Sequence, residues 1–547
     1  MSDGDAKTVS IRNLRAKQQA QLAAEKIRVQ PTTLLEYQSR GRVAVIGGET
    51  VMELAARLPG KLQAQVILTA GVEQPGAPVV AVGGRAVKIR GYLGNFTLDL
   101  GTPGKPSHEC IKVDLIWDLG NKPLLPMPMK PPGYICSTTA EEDVGAAIES
   151  LSELVGTFQK PEYFAYDASI CAHARSGVTA CTRCLDSCPA EAITSLGESI
   201  EVDPYLCQGG GICTTVCPSG ALSYRYPPLQ DLLERVRTLL RVYREMGGEQ
   251  PVLVLLTEQQ PHGGEASGAG GLQLGDNMLP VVTEELASTG MEVWLTALAC
   301  GASSVVLLDQ GGSDATVIAA LQQQLAIVRE ILQGMGYPSE AVALQSANAV
   351  VQQPQAAMPA MQAATFAAAG GKRQTLFMAV DHLYAQSPRR KPMVNLPAAA
   401  PFGAAAIDAT RCTLCLSCVS ACPGKALQSG HELPQIRFIE SNCLQCGICT
   451  RLCPEDAVWI TPRLLFDGSA RAEARLLHAE EPFCCISCGR PFATRSVIEK
   501  MQHKLGRHPM FQSSRARDRL LMCEECRVAD VVQDADAMDG GIDALRH

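Results

Sequence analysis

The stretch RCTLCLSCVSACPGKALQSGHELPQIRFIESNCLQCGICTRLCPED, residues 411–456, carries one cysteine spacing twice. Cys412, Cys415, Cys418 and Cys422 are followed by Pro423, and Cys443, Cys446, Cys449 and Cys453 by Pro454. Each copy reads C-x2-C-x2-C-x3-C-P. Disulfides do not suit a chain without an export signal. Zinc would use two C-x2-C pairs and leave four of these cysteines idle. Pro423 and Pro454 end each loop and fix the backbone angle there.

The spacing resembles that of bacterial two-cluster ferredoxins, whose loops hold [4Fe–4S] clusters. A loop with a cysteine every third residue wraps three corners of a cubane and cannot reach the fourth. In such ferredoxins the fourth cysteine comes from the other motif. Carried over, the resemblance gives one cluster Cys412, Cys415, Cys418 and Cys453, and the other Cys443, Cys446, Cys449 and Cys422. The crossing makes one folding unit whose stability depends on iron.

The rest of the chain bounds the setting. Its 547 residues call for several domains of roughly 100–200 residues each. Hydrophobic residues are 46% and charged ones 19%, which excludes a charge-driven disordered chain. The net charge of −8 argues against nucleic acid as the main partner. The N-terminus lacks an apolar signal-peptide core, Arg389-Arg390 lies too far along for a twin-arginine signal, and no run of about 18 apolar residues exists. A reducing cytoplasm is the expected location.

Along the chain, residues 7–28 predict a polar helix, read as a solvated arm within 1–36, with a partner-binding helix as the alternative. GRVAVIGG (41–48), MELAARLPG and QVILTAG predict strand, helix and strand of an α/β domain over 37–160, followed by the strands AVKIRGYL and CIKVDLIWDL. No G-x-G-x-x-G fingerprint is present. Residues 229–345 predict a second α/β domain. PVLVLLTE and SSVVLLDQ are its strands, the run 262–271 a glycine-rich loop, and DATVIAALQQQLAIVREILQGMG a helix ended by glycine. Strands alternating with helices point to a parallel sheet. VWLTALACGASSVVLL (293–308) resembles the iron–sulfur subunit of methyl-viologen-reducing hydrogenases and heterodisulfide reductase complexes. That family binds a cluster through several cysteines and only Cys300 is present here, so the resemblance implies the shell without its cluster. Residues 346–400 read as an Ala-, Gln- and Pro-rich linker interrupted by the helix KRQTLFMAVDHLYAQ.

Residues 161–228 look like the same ferredoxin module with losses, and 401–465 is the complete one. Cys181, Cys184 and Cys188-Pro189 precede Cys207, Cys213 and Cys217-Pro218. Val178 and Gly210 stand where cysteines would be. Cys171, upstream, can supply the first missing thiolate. With the ferredoxin crossing, Cys171, Cys181, Cys184 and Cys217 make a complete set for a third [4Fe–4S] cluster. Cys188, Cys207 and Cys213 make only three. A [3Fe–4S] cluster, a [4Fe–4S] cluster with a non-protein fourth ligand and an empty site all stay open, and Cys110 or Cys136 are candidates to complete it. The order C-x2-C-x3-C is the reverse of the radical-SAM loop.

In the basic tail, 466–547, Cys485-x2-Cys488 and Cys523-x2-Cys526 predict a four-thiolate structural zinc site of zinc-ribbon type, with a further cluster or free thiols as the alternatives. Cys484 is an alternative ligand; His503 and His508 read as surface residues. Arg490, Arg495, Lys500, Lys504, Arg507, Arg515, Arg517 and Arg519 read as a solvated face, with docking to an acidic redox partner as the sharper alternative.

The expected fold class is multidomain α+β and α/β: two ferredoxin-like dicluster modules, α/β domains between them and a zinc-ribbon-like tail. The expected function is electron transfer through several clusters, as a carrier or a subunit of a redox complex, without independent catalytic activity. No flavin, nicotinamide, nucleophile-elbow or HExxH signature is found. The architecture resembles ferredoxin-domain proteins that accompany bacterial molybdenum enzymes such as formate dehydrogenases. That resemblance implies donor and acceptor proteins in a molybdenum-enzyme or hydrogenase-like complex. The alternatives are an assembly or regulatory factor with structural or sensing clusters, and a catalytic oxidoreductase that uses the open site near Gly210.

Overall fold

The computed structural model describes residues 3–30, 32–69, 79–81, 86–101, 108–257, 273–346, 351–352, 357–367, 370–430 and 433–534. The glycine-rich run 262–271 lies outside them. Helix α1, Asp3–Glu25, is not a solvated arm. Ala16, Ala20 and Ala24, one helical turn apart, form a ridge of small side chains that is buried against helix α2, Leu229–Glu245. Asn13 accepts from the Glu249 amide at 2.9 Å, and Arg12 pairs with the Glu249 carboxylate. The polar face dominates the composition of α1, but alanines at this spacing let two helices approach closely.

In the first α/β domain, strands β1 (Arg42–Gly47), β2 (Gln63–Leu68), β3 (Val79–Ala81), β4 (Leu115–Asp118) and β5 (Tyr134–Cys136) form a parallel sheet in the order β3-β2-β1-β4-β5. Such strands are covered on both faces and so read as continuous apolar runs. Val43, Val45 and Trp117 face the helix Glu141–Glu153. Ala44, Ile46 and Ile116 face an antiparallel sheet of Ala86–Tyr92, Asn95–Gly101 and His108–Val113.

The middle domain holds β6 (Val252–Thr257), β7 (Met278–Thr283), α3 (Met291–Ala299), β8 (Ser304–Asp309), α4 (Ala315–Met335) and β9 (Val342–Ser346). The four strands are parallel in the order β7-β6-β8-β9. The chain leaves β6 towards one edge and returns past it to β8, so the connections after β6 and β8 diverge. Asp314 caps α4 by accepting from the Thr316 amide, and Gly336 ends it at φ +81°.

Helix α5, Lys372–Ala385, buries Leu376, Ala379, Val380 and Leu383 in the same core as α3. Before it, the Met358 and Ala364 amides donate to Ser303 and Ala299 carbonyls at 2.8 Å. The described parts of 346–400 are therefore a packed strap rather than a linker. Its alanines and glutamines mask an apolar face. The C-terminal module has two three-stranded sheets, and the strand Ala474–Ala479 completes the second by pairing with Gln435–Ile439. Residues read as the start of the tail thus belong to the module's sheet.

Candidate iron–sulfur and metal sites

The cysteine loops share an unusual backbone. Leu414 and Leu416 have φ of 56° and 60°, and Gln445 and Gly447, at the same places in the second loop, have 51° and 80°. Lys425 and Asp456, three residues after the last cysteine of each motif, have 52° and 45°. Left-handed residues other than glycine persist only where the surroundings impose them. The incomplete module repeats the pattern: Gly209 and Gly211 match Gln445 and Gly447, and Glu191 and Gly220 match Lys425 and Asp456. The loop from Cys207 to Cys213 therefore keeps its course, with Gly210 at the position that Cys446 holds in the complete loop.

A second repeated feature sits before the loops. Asp408, four residues ahead of Cys412, accepts from the Thr410 amide at 2.9 Å. Asp203 accepts from Tyr205 at 2.8 Å ahead of Cys207, and Asp167 from Ser169 at 2.9 Å ahead of Cys171. The same turn places Cys171 as the leading cysteine of its loop, and the hairpin of Ala174–Arg175 with Val178–Thr179 is an insertion before Cys181. The D-x3-C repeat is visible in the sequence and was the signal available for Cys171.

The fold brings the thiols into four groups. Cys422, Cys443, Cys446 and Cys449 line one cavity, and Cys171, Cys181, Cys184 and Cys217 line another. Cys418 is pushed up to about 12 by burial and by Cys412, Cys415 and Cys453. Cys184 is pushed up to about 12 by burial and by Cys217, Cys181 and Cys171. Cys213 is raised well above the usual thiol range by burial, with Cys207 and Cys188 adding to the effect. Thiols crowded out of water resist ionisation unless a cation joins them, and bound metal inverts that preference. Backbone amides already point at sulfur: Ala426 to Cys422 and Ala457 to Cys453 at 3.2 Å, and Leu414 to Cys412 at 3.4 Å. Both features fit iron–sulfur clusters in the complete module.

Residues 411–457 match the family model of the 4Fe-4S dicluster domain, and residues 200–223 match that of the 4Fe-4S binding domain. The chain carries ferredoxin-type 4Fe–4S domains. The dicluster domain spans both complete loops, while the second match spans Cys207, Cys213 and Cys217 despite Gly210. Neither reaches 293–308, so the resemblance to a hydrogenase subunit there has no support. No curated protein matches the chain.

The two ferredoxin-type domains meet at α5. The Arg373 guanidinium donates to the carbonyls of Cys443 at 2.5 Å, Ser441 and Pro401 at 2.8 Å and Pro218 at 3.5 Å, and stacks over Phe377 and Phe402. Burial pulls it down to about 10, so it stays charged at neutral pH. Cys181 is among the charges that act on Cys446, and Arg451 donates to the Thr179 carbonyl at 2.5 Å. Nothing in the cysteine spacing announces Arg373. On the far side, Lys160 donates to the Cys207 carbonyl at 2.6 Å and joins the first α/β domain to the three-thiol group.

The remaining cysteines stand apart. Cys300 ends α3 beside Arg237 and Arg244. Cys110 pairs in register with Asp99, and Cys136 lies beside Asp118 and Lys130. None of the three is among the charges acting on Cys207 or Cys213. In the tail, the sulfurs of Cys485, Cys488, Cys523 and Cys526 all lie within 4.8 Å of one another, a group that could hold a metal ion. Gly489, at φ +71°, makes the tight turn, and Cys523 immediately precedes the helix Glu524–Val532. Burial opposes ionisation of Cys485, yet the amides of Cys523, Cys488 and Ser487 hold it down to about 6. Cys484, His503 and His508 are exposed and outside the group. Several basic side chains of the tail are paired: Arg490 with Glu525, Lys500 with Glu455, and Arg515 and Arg519 with Asp530 and Asp534. Among the described residues, no helix is long and apolar enough to cross a membrane.

Proposed function

We propose that the chain is a multi-cluster electron-transfer protein that serves a redox complex. The observation that supports this is the meeting of two ferredoxin-type domains at α5, where Arg373 donates to the Cys443 carbonyl of one and the Pro218 carbonyl of the other. Two sets of four in the C-terminal module and the Cys171 set would each hold a [4Fe–4S] cluster, and the Cys188, Cys207 and Cys213 set would hold a cluster with one open iron. Such clusters supply one-electron transfer at potentials set by their protein surroundings. The chain's own residues exclude water with Leu414, Leu444, Ile212 and Ile448, direct amides at sulfur, and place one permanent cation between the two modules. The tail would hold zinc. Sulfurs around a tetrahedral zinc with bonds of ~2.3 Å stand roughly 3.8 Å apart, and Cys488 and Cys523 are 3.8 Å apart.

An anaerobic EPR-monitored redox titration, with iron, sulfide and zinc counted on the same sample, tests this reading. Three or more low-potential clusters and one zinc per chain are expected. Clusters confined to the C-terminal module would defeat the relay and favour an assembly or regulatory role.

A further inference from the structure

A cavity of about 790 Å³ opens at the carboxyl ends of β6, β7 and β8. It is bounded by Thr257 at the end of β6, by Glu284 and Glu285 after β7, and by the turn Gln310-Gly311-Gly312-Ser313 after β8. This is the switch point of the sheet, where connections diverge and leave a crevice, the usual place for a ligand in an open parallel sheet. Its size lies in the range of small-molecule sites. Gly311 and Gly312, both with φ above 90°, keep the rim free of side chains.

Most polar groups on the wall are committed. Asp309 accepts from Gly311 and Ser313, Asp314 caps α4, and Gln310 accepts from Thr257. Two ionisable groups are not. Arg235, reaching in from α2, has no hydrogen bond or ion pair with any described residue, and the Glu285 carboxyl has no hydrogen-bond donor or cation among them. They do not pair with each other. A ligand that answers both walls carries a carboxylate and an ammonium group.

The cavity also reaches the incomplete loop. Gly210 and Gln208 form part of its wall. A Cβ at Gly210 would meet only Met129, at 3.7 Å. In the complete loop the corresponding Cys446 lines the cavity of its own four-thiol set. Where the fourth thiolate is absent, the loop therefore borders the switch-point crevice, with Met129 beside the gap.

We propose that this crevice binds a small amino-carboxylate molecule between Arg235 and Glu285, with its edge towards the open position of the Cys188, Cys207 and Cys213 site. The binding half stands on the cavity alone; the approach to iron rests on the three-thiolate reading above.

The test uses the anaerobically purified full-length protein. Free L-amino acids are titrated one at a time by calorimetry, beside their N-acetyl and carboxamide derivatives, and EPR spectra are taken with and without each. At least one amino acid should bind, each blocked derivative should bind about tenfold or more weakly, and Arg235→Gln and Glu285→Gln should each lose about tenfold at unchanged iron content. Arg235 is partly exposed, so its replacement leaves the fold intact. The bound amino acid should shift the EPR signal of one cluster, and Gly210→Cys should abolish that shift while binding persists. No binding by any amino acid, or equal binding by Arg235→Gln, overturns the site. Binding without a spectral shift overturns the approach to iron and leaves the site standing. A missing fourth cluster in the iron count overturns the three-thiolate reading, and calorimetry then decides the cavity separately.

Discussion

The guanidinium of Arg373 and the carbonyl of Cys443 meet at 2.5 Å, in an enclosure that Pro218 of the other ferredoxin-type module also lines. A buried cation on the boundary between two modules favours the added electron on either side. At a separation of about 8 Å and an effective dielectric near 20, one unit charge is worth about 2 kcal/mol, or about 90 mV for a one-electron couple.

Replacing Arg373 should therefore lower a potential, not merely loosen the fold. Arg373→Gln is expected to move the nearest cluster to a more negative potential by up to about 90 mV, while Arg373→Lys keeps most of the original value. Redox titration of both variants, at matched iron content, checks this. Equal shifts in Gln and Lys would mean that geometry rather than charge matters.

The crossing of ligands between the two loops can be read from single substitutions. Cys453 acts on Cys412 and Cys418, and Cys422 lines the cavity of Cys443, Cys446 and Cys449. Cys453→Ala should disturb the cluster of the first loop and spare that of the second, and Cys422→Ala should do the reverse. The surviving cluster can be assigned by its response to Arg373→Gln, which should be present in Cys453→Ala and weakest in Cys422→Ala. Loss of the second-loop cluster from Cys453→Ala would refute the crossing.

What the sequence revealed and what it hid follow from the range of the interactions. The cysteine loops are local: spacing, Pro423 and Pro454 define them within a dozen residues. The parallel strands of the middle domain are equally local, as continuous runs such as VLVLL. The burial of α1 is not local, because Ala16 and Ala20 signal a contact only once α2, more than two hundred residues on, is in place. For the same reason α5 read as an interruption in a linker. Its role depends on α3 and on two modules that Arg373 touches from a single position. Gly210 shows the intermediate case: the sequence marks a missing thiolate, but only the fold shows that Gly210 borders a crevice.

The tail sits on the first cluster loop. Thr494 donates to the Thr413 carbonyl at 3.0 Å, and Lys500 reaches the Arg411 carbonyl at 3.1 Å. Thr413 lies between Cys412 and Cys415, and Cys415 is exposed. Cys523→Ala is expected to remove one zinc per chain without changing the iron count, because structural zinc folds its own surroundings. With the tail loosened, the first-loop cluster should bleach faster in air than the second. Parallel metal analysis and absorbance decay report both effects. An unchanged zinc content would exclude these four thiols as its ligands.

Glu285 gives the middle domain a defined pH response. Burial, with a smaller contribution from Glu284, pushes its carboxyl up from 4.5 to about 7. The folded state therefore holds a proton that the unfolded chain releases. Its stabilising contribution is fully present below about pH 4.5, and it is lost as pH rises through 7. Because the side chain is only half-buried, solvent reduces the effect to about 1–2 kcal/mol. Glu285→Gln removes the penalty, so the variant should be more stable than the parent at pH 8.5 and nearly equal to it at pH 5. Scanning calorimetry at the two pH values reads the difference in the transition that reports the β6–β9 sheet. A variant with no gain at pH 8.5 would show that Glu285 ionises freely in the folded protein.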